Sequence, residues 1–241
     1  MKRKSTYVVL SAFAIGFVAL LFDLGVTAKQ DSARSIDPLR YTEAIEAFEE
    51  QDLVSPPPTG AIVITGSSSI TRWNKAMQKD LAPLTVIPRG FGGSTMQDVL
   101  HFIDRLAIAY KPRAIVIYEG DNDTGLYAVP PENIAGQFET IVKKIHDKLP
   151  ETRIYVASVK PSLSRVAVWD KAQKTNVLLQ NIVTGNERLS YIDVATPLLG
   201  SDGNVMNDIF IDDGLHLNAK GTRIWAATFK AALMKAEARY E

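Results

Sequence analysis

The chain has 241 residues, 46% of them hydrophobic, enough for one sizeable α/β core. Lys plus Arg equals Asp plus Glu at 27 each, and the only basic block is Lys2-Arg3-Lys4, so the electrostatic footprint of a nucleic-acid binder is missing and nucleic acid is excluded as a partner. There is no cysteine, which rules out disulfides, thiol catalysis and thiolate metal sites together.

In chain order, Lys2-Arg3-Lys4 precedes an uncharged, mostly apolar stretch from Tyr7 to Phe22, followed by Asp23 and the small-residue ending Val26-Thr27-Ala28. Residues 1–28 are expected to be an export signal: either a signal peptide cut after Ala28 or a retained single-pass hydrophobic helix, short for a span that wants about 20 apolar residues. Positive charge ahead of the apolar stretch keeps the N-terminus cytoplasmic, so the rest is expected outside the cytoplasmic membrane, in the periplasm, tethered or released. The membrane is thus a partner if the helix is uncleaved. Residues 29–58 are polar, with one amphipathic stretch from Leu39 to Leu53 in which Ala44, Ile45, Phe48 and Leu53 share a face, ended by Pro56-Pro57-Pro58. This reads as a spacer whose helix docks on the domain or stands off the membrane.

Residues 59–241 repeat strand, loop and helix. Strands are expected at 61–65, 84–87, 114–118, 154–159 and 189–194, the early ones continuously apolar and β-branched as in strands buried on both faces. Helices are expected at 70–80, 96–109, 132–148, 165–183 and 219–238. The alternation predicts βαβ crossovers and a five-stranded parallel sheet covered on both faces. Ligands of such sheets bind outside the carboxyl ends of the strands, where the loops after the first three strands lie.

Those three loops are Gly66-Ser67-Ser68-Ser69, Gly92-Gly93-Ser94 and Gly120-Asp121-Asn122-Asp123. A serine at a strand-to-helix turn exposes its hydroxyl at a helix N-terminus, where developing negative charge is favoured. Glycine at the second loop lets a backbone N–H approach a substrate oxygen with no Cβ in the way. The third loop is rich in oxygen ligands, but the spacing and terminal glutamate of an EF-hand do not follow.

A serine hydroxyl needs a base, and the chain has three histidines. His101 and His146 read as mid-helix. His216 sits in a loop within Asp213-Gly214-Leu215-His216, and a tight turn at Gly214 would let the Asp213 carboxylate accept the Nδ1 proton, leaving Nε2 for the serine. Asp212 is the weaker candidate for that role. Which of Ser67, Ser68 and Ser69 is the nucleophile stays open on these residues alone.

Taken together, the four segments resemble the SGNH/GDSL hydrolase superfamily, over about residues 60–238. The resemblance implies a flavodoxin-like three-layer α/β sandwich with a five-stranded parallel sheet. It implies Ser68 as nucleophile, Asp213 and His216 as the rest of the triad, and the Ser68 and Gly93 N–H groups with the Asn122 amide as oxyanion hole. The chemistry expected is hydrolysis of an acyl ester, whether small-molecule, lipid or glycan, with no metal or organic cofactor. The alternatives are an O-acyltransferase on the same site and a non-catalytic binding or scaffold protein of the same fold; a metal-dependent hydrolase is disfavoured because no histidines cluster. One departure is Ser67, which stands where the family usually has an acidic residue. Trp73, Phe91 and Asp121 are candidate substrate contacts, with further pocket wall expected from residues 121–127 and 161–165; Trp73 and Phe91 read equally well as core.

Overall fold

Side chains alternate across a strand, so each continuously apolar run feeds two cores at once. The computed structural model describes residues 36–241, and the expected strands appear as β1 (Ile62–Gly66), β2 (Val86–Gly90), β3 (Ala114–Tyr118), β4 (Arg153–Ala157) and β5 (Leu189–Ile192). They form one parallel sheet in the order β2-β1-β3-β4-β5. On one face Val63, Ile115, Ile117 and Val156 pack against α3 (Met96–Leu106), α5 (Pro131–Lys148) and α6 (Trp169–Val183). On the other, Ile62, Ile64, Val116, Tyr118 and Tyr155 meet Ile70, Trp73 and Met77 of α2 (Ser68–Leu81) and Trp225, Phe229 and Leu233 of α7 (Ala219–Glu237). This is the three-layer arrangement expected from the alternation of elements.

The strand order reverses direction at β1, whose neighbours are β2 and β3, so the loops leaving β1 and β3 diverge to opposite faces and open a crevice between them. Register keeps the exits level: Gly66 lies opposite both Gly90 and Tyr118. The three candidate loops therefore leave the sheet side by side.

β2 runs later than expected because it carries Pro88 and Arg89 where an apolar pattern would end. Proline is tolerated there since β2 is an edge strand paired with β1 alone. Arg89 is buried by the segment that precedes the domain: its guanidinium bonds Asp52 Oδ1 at 2.5 Å and lies over the rings of Phe48 and Tyr110. That segment is a 3-10 turn, Pro38–Tyr41, leading into α1 (Thr42–Val54), whose Ile45 is buried in the same core as α3. The amphipathic spacer helix thus docks on the domain. Residues 1–28 lie outside the described residues; among those described, no helix is long and apolar enough to cross a membrane.

Other elements differ from expectation as well. The helix expected from 165 begins with a 3-10 turn, Leu163–Val168, before α6, and a short helix not foreseen, α4 (Asp121–Gly125), follows β3. At the far end of α7, Glu237 receives hydrogen bonds from Arg153, Tyr155 and Arg113, clamping that helix to the amino ends of β3 and β4. Burial pushes its carboxyl up, but these donors outweigh burial and hold it below its usual range.

Candidate active site

Ser68 is the first residue of α2, and the turn that puts it there depends on Gly66. With φ of +151°, a Cβ at Gly66 would lie 2.3 Å from the Tyr118 carbonyl oxygen, so only glycine lets the chain pass β3 this closely. Ser67 then donates its N–H to that carbonyl, and its own carbonyl accepts from Ile70 and Thr71 to start the helix. The N–H groups of Ser68 and Ser69 fall in the first turn, where no intrahelical carbonyl is in reach.

The histidine arrives from the loop ahead of α7, whose N-cap Asn218 accepts from Lys220 and Gly221. Ile211 donates its N–H to the His216 carbonyl and Gly214 donates to Ile211, closing a tight turn. Inside it Asp213 Oδ1 accepts the N–H groups of Leu215 at 2.8 Å and His216 at 2.9 Å, while Oδ2 lies 2.6 Å from His216 Nδ1. The other ring nitrogen, Nε2, stands 2.9 Å from Ser68 Oγ. The hydrogen bonds from the His216 ring and backbone hold the Asp213 carboxyl well below the usual carboxylate range, so it is an acceptor only. Nδ1 must then carry the proton, which leaves the Nε2 lone pair facing the serine.

The alternatives left open by the sequence do not meet this ring. Ser69 faces a small cavity with Arg72, Trp73 and Trp225 beneath α2. His146 Nε2 contacts the Thr152 carbonyl in α5's last turns, and His101 stacks edge-on with Phe102.

Gly92 and Gly93 lie beside the serine: a Cβ at Gly92 would sit 3.9 Å from that of Ser68. Gly93 has φ of +85°, and a Cβ there would come within 2.8 Å of the Tyr41 hydroxyl. Asn122, on α4, donates from Nδ2 to the Ser94 carbonyl at 2.9 Å, so the second and third loops are tied together. Asp123 ties them again, accepting from Gly120 N–H and from Met96 N–H at 3.0 Å each. Burial pushes the Asp123 carboxyl up to about 7 against those two donors. Beneath them Ser94 Oγ donates to the fully buried Glu119 at 2.5 Å, and burial, with Asp123 adding to it, pushes the Glu119 carboxyl well above its usual range.

The sequence pattern did not single out Lys160. It is 1% exposed, follows β4, donates to the Leu215 carbonyl at 2.8 Å and lies 3.3 Å from Asp121 Oδ2. One buried cation therefore joins the histidine loop to α4. The one available signal was a lysine directly after an apolar strand.

The expected pocket residues need correction. Trp73 is 2% exposed, packs on Phe229 and donates its indole N–H to Asp80 at 2.8 Å, so it is core beneath α2. Phe91 is 3% exposed in the opposite core, with Tyr41 edge-on against it. Large aromatics adjoining a loop face inward whenever a helix covers them, and periodicity does not separate the two cases. Asp121 is also buried, set between Lys160 and Arg165. Among the described residues, no group of three His, Cys, Asp or Glu side chains is placed to hold a metal ion.

A serine, an imidazole and a carboxylate hydrogen-bonded in series at the carboxyl edge of a parallel sheet form the constellation of the serine hydrolases. The chain belongs to the GDSL-like lipase/acylhydrolase family, whose model matches residues 55–224. It is 29% identical over 143 residues to platelet-activating factor acetylhydrolase IB subunit alpha2 of Rattus norvegicus, an alignment covering 58% of this chain and 60% of that protein. The chain thus spans three fifths of the length of the curated relatives it matches. Among solved structures it is similar in fold to a Streptococcus pneumonia protein described as a platelet activating factor (TM-score 0.71, 20% identity, covering 81% of this chain and 94% of that one). A GDSL-like lipase from Bacteroides thetaiotaomicron gives a TM-score of 0.67 at 20% identity, covering 80% and 98%.

Proposed function

We propose that this chain hydrolyses acyl esters with Ser68 as nucleophile, His216 as general base and Asp213 as its orienting carboxylate. The observation that carries the reading is the continuous hydrogen-bonded series Asp213–His216–Ser68 described above. His216 Nε2 takes the Ser68 proton as Oγ attacks the ester carbonyl, and Asp213 stabilises the imidazolium formed. The oxyanion is held by the Ser68 and Gly93 N–H groups and by the Asn122 side-chain amide, whose Nδ2 carries two N–H bonds, one engaged by Ser94 and one left for substrate. His216 then protonates the leaving alcohol, and water, activated by the same ring, releases the acyl group.

Asn122→Ala is expected to lower kcat by about 10²–10³ with KM nearly unchanged, because its amide matters only once the oxyanion has formed. Steady-state kinetics on p-nitrophenyl esters check this, and an unaltered kcat would remove Asn122 from the oxyanion hole. The same substrates, in a series of acyl lengths, report the acyl preference. The acetylhydrolase name of the matched relatives favours short acyl groups, on a lipid, glycan or small-molecule alcohol. Turnover that depends on an added sugar acceptor would instead identify an O-acyltransferase.

The working compartment in this reading lies outside the cytoplasmic membrane, supported by Lys2-Arg3-Lys4 and the apolar stretch from Tyr7 to Phe22. The domain is then either anchored in the membrane through that stretch or released by cleavage after Ala28. N-terminal sequencing distinguishes these two, and protease treatment of intact spheroplasts is expected to digest the domain. Digestion only after lysis would overturn the location.

A further inference from the structure

The family match begins at residue 55, yet the segment before it reaches the site. In the 3-10 turn Pro38–Tyr41, the Tyr41 hydroxyl donates to the Gly92 carbonyl at 3.1 Å. That carbonyl and the Gly93 N–H are opposite ends of one planar peptide unit. A hydrogen bond accepted at the oxygen fixes the plane of the unit and polarises it, strengthening the N–H as a donor. We propose that Tyr41 is a positioning residue for ester hydrolysis, holding and polarising the Gly92–Gly93 peptide so that the Gly93 N–H meets the oxyanion; this rests on the oxyanion role given to Gly93 above.

The packing of the Tyr41 ring does not by itself call for a hydroxyl. The ring is anchored by its edge-on contact with Phe91, centroids 5.1 Å apart, so packing alone would be served by phenylalanine. Burial raises the Tyr41 hydroxyl above its usual pKa, so it keeps its proton, and its capacity to donate, through the neutral range. The neighbouring Arg40 locks the turn in place. Its Nη2 bonds the wholly buried Asp98 at 2.7 Å and its Nη1 bonds the Tyr127 hydroxyl at 2.8 Å. Asp98 belongs to the capping box that starts α3 just after the glycine loop, and Tyr127 follows α4, the helix of Asn122. A single turn from outside the matched region thus grips two of the three loops that supply oxyanion donors.

The test uses the full chain as wild type, Tyr41→Phe and Ser68→Ala, with p-nitrophenyl acetate turnover, inhibition by phenylboronic acid as a tetrahedral mimic, and thermal unfolding. Loss of one neutral hydrogen bond that acts in the transition state is expected to lower kcat in Tyr41→Phe by about three- to tenfold, with KM changed less than about twofold. Boronate affinity should fall by the same factor. An unchanged kcat, or a loss confined to KM with boronate affinity intact, would overturn the inference while an inactive Ser68→Ala leaves the esterase reading standing. Turnover surviving in Ser68→Ala would overturn the esterase reading and this inference with it.

Discussion

Ser68→Ala is expected to lower kcat on p-nitrophenyl esters by on the order of 10⁶ while thermal unfolding stays essentially unchanged, since removing a triad serine alone costs about as much as removing the whole triad. The fold tolerates the change because Ser68 is the opening residue of α2 and its hydroxyl bonds only His216, so no buried donor or acceptor is orphaned. The neighbouring serines provide the contrast. Ser67 serves through its backbone, its carbonyl starting α2 and its N–H bonding Tyr118, and Ser69 lines the cavity beneath the helix. Ser67→Ala and Ser69→Ala should therefore retain at least about a tenth of wild-type kcat, as substitutions away from the transition state do. Labelling with a fluorophosphonate followed by peptide mass analysis gives a second readout, with modification expected on Ser68 alone. An active Ser68→Ala variant beside a dead Ser67→Ala or Ser69→Ala would show that the nucleophile had been assigned to the wrong serine.

How much of this site could be read in advance follows from how local each interaction is. β1 and β3 are legible because strands buried on both faces are continuously apolar, and both are wholly buried. Asp213 and His216 are legible because the hydrogen bonds that set one against the other run within a turn of three residues. Lys160, Glu119 and Arg40 are a different case. Each meets partners 25 to 58 residues away, and a charged residue's sequence neighbours do not reveal which distant loop it will meet. β2 lies further along the chain than its apolar pattern predicts for a related reason: Pro88 is compatible with a strand only at a sheet edge, and edge position is a property of topology. Trp73 and Phe91, which read equally well as pocket or core, show the converse: bulk near a candidate loop carries no information about which way the ring points.

Asp213→Asn is expected to lower kcat by about 10³–10⁴, through the tautomer of His216 and not through loss of the loop. Oδ1 of Asp213 already accepts from two backbone N–H groups, those of Leu215 and His216. An asparagine will keep its carbonyl oxygen on these two donors, because turning the amide over would set its NH₂ against them. Its Nδ2 then faces His216 Nδ1 and donates to it, which forces the ring proton onto Nε2 and leaves no lone pair to take the Ser68 proton. Asp213→Ala deletes the orienting group but permits either tautomer, so it should be no worse than asparagine and better if orientation by the loop alone suffices. The side chain of Asp213 is 40% exposed, so water can replace part of its electrostatic support, which sets the expected loss toward the lower end of the range. Steady-state kinetics of the two variants, with the ring proton located by ¹⁵N NMR of the imidazole, test this directly. An asparagine variant within about tenfold of wild type would mean that the carboxylate orients nothing the reaction needs, and that His216 is held by its backbone turn alone.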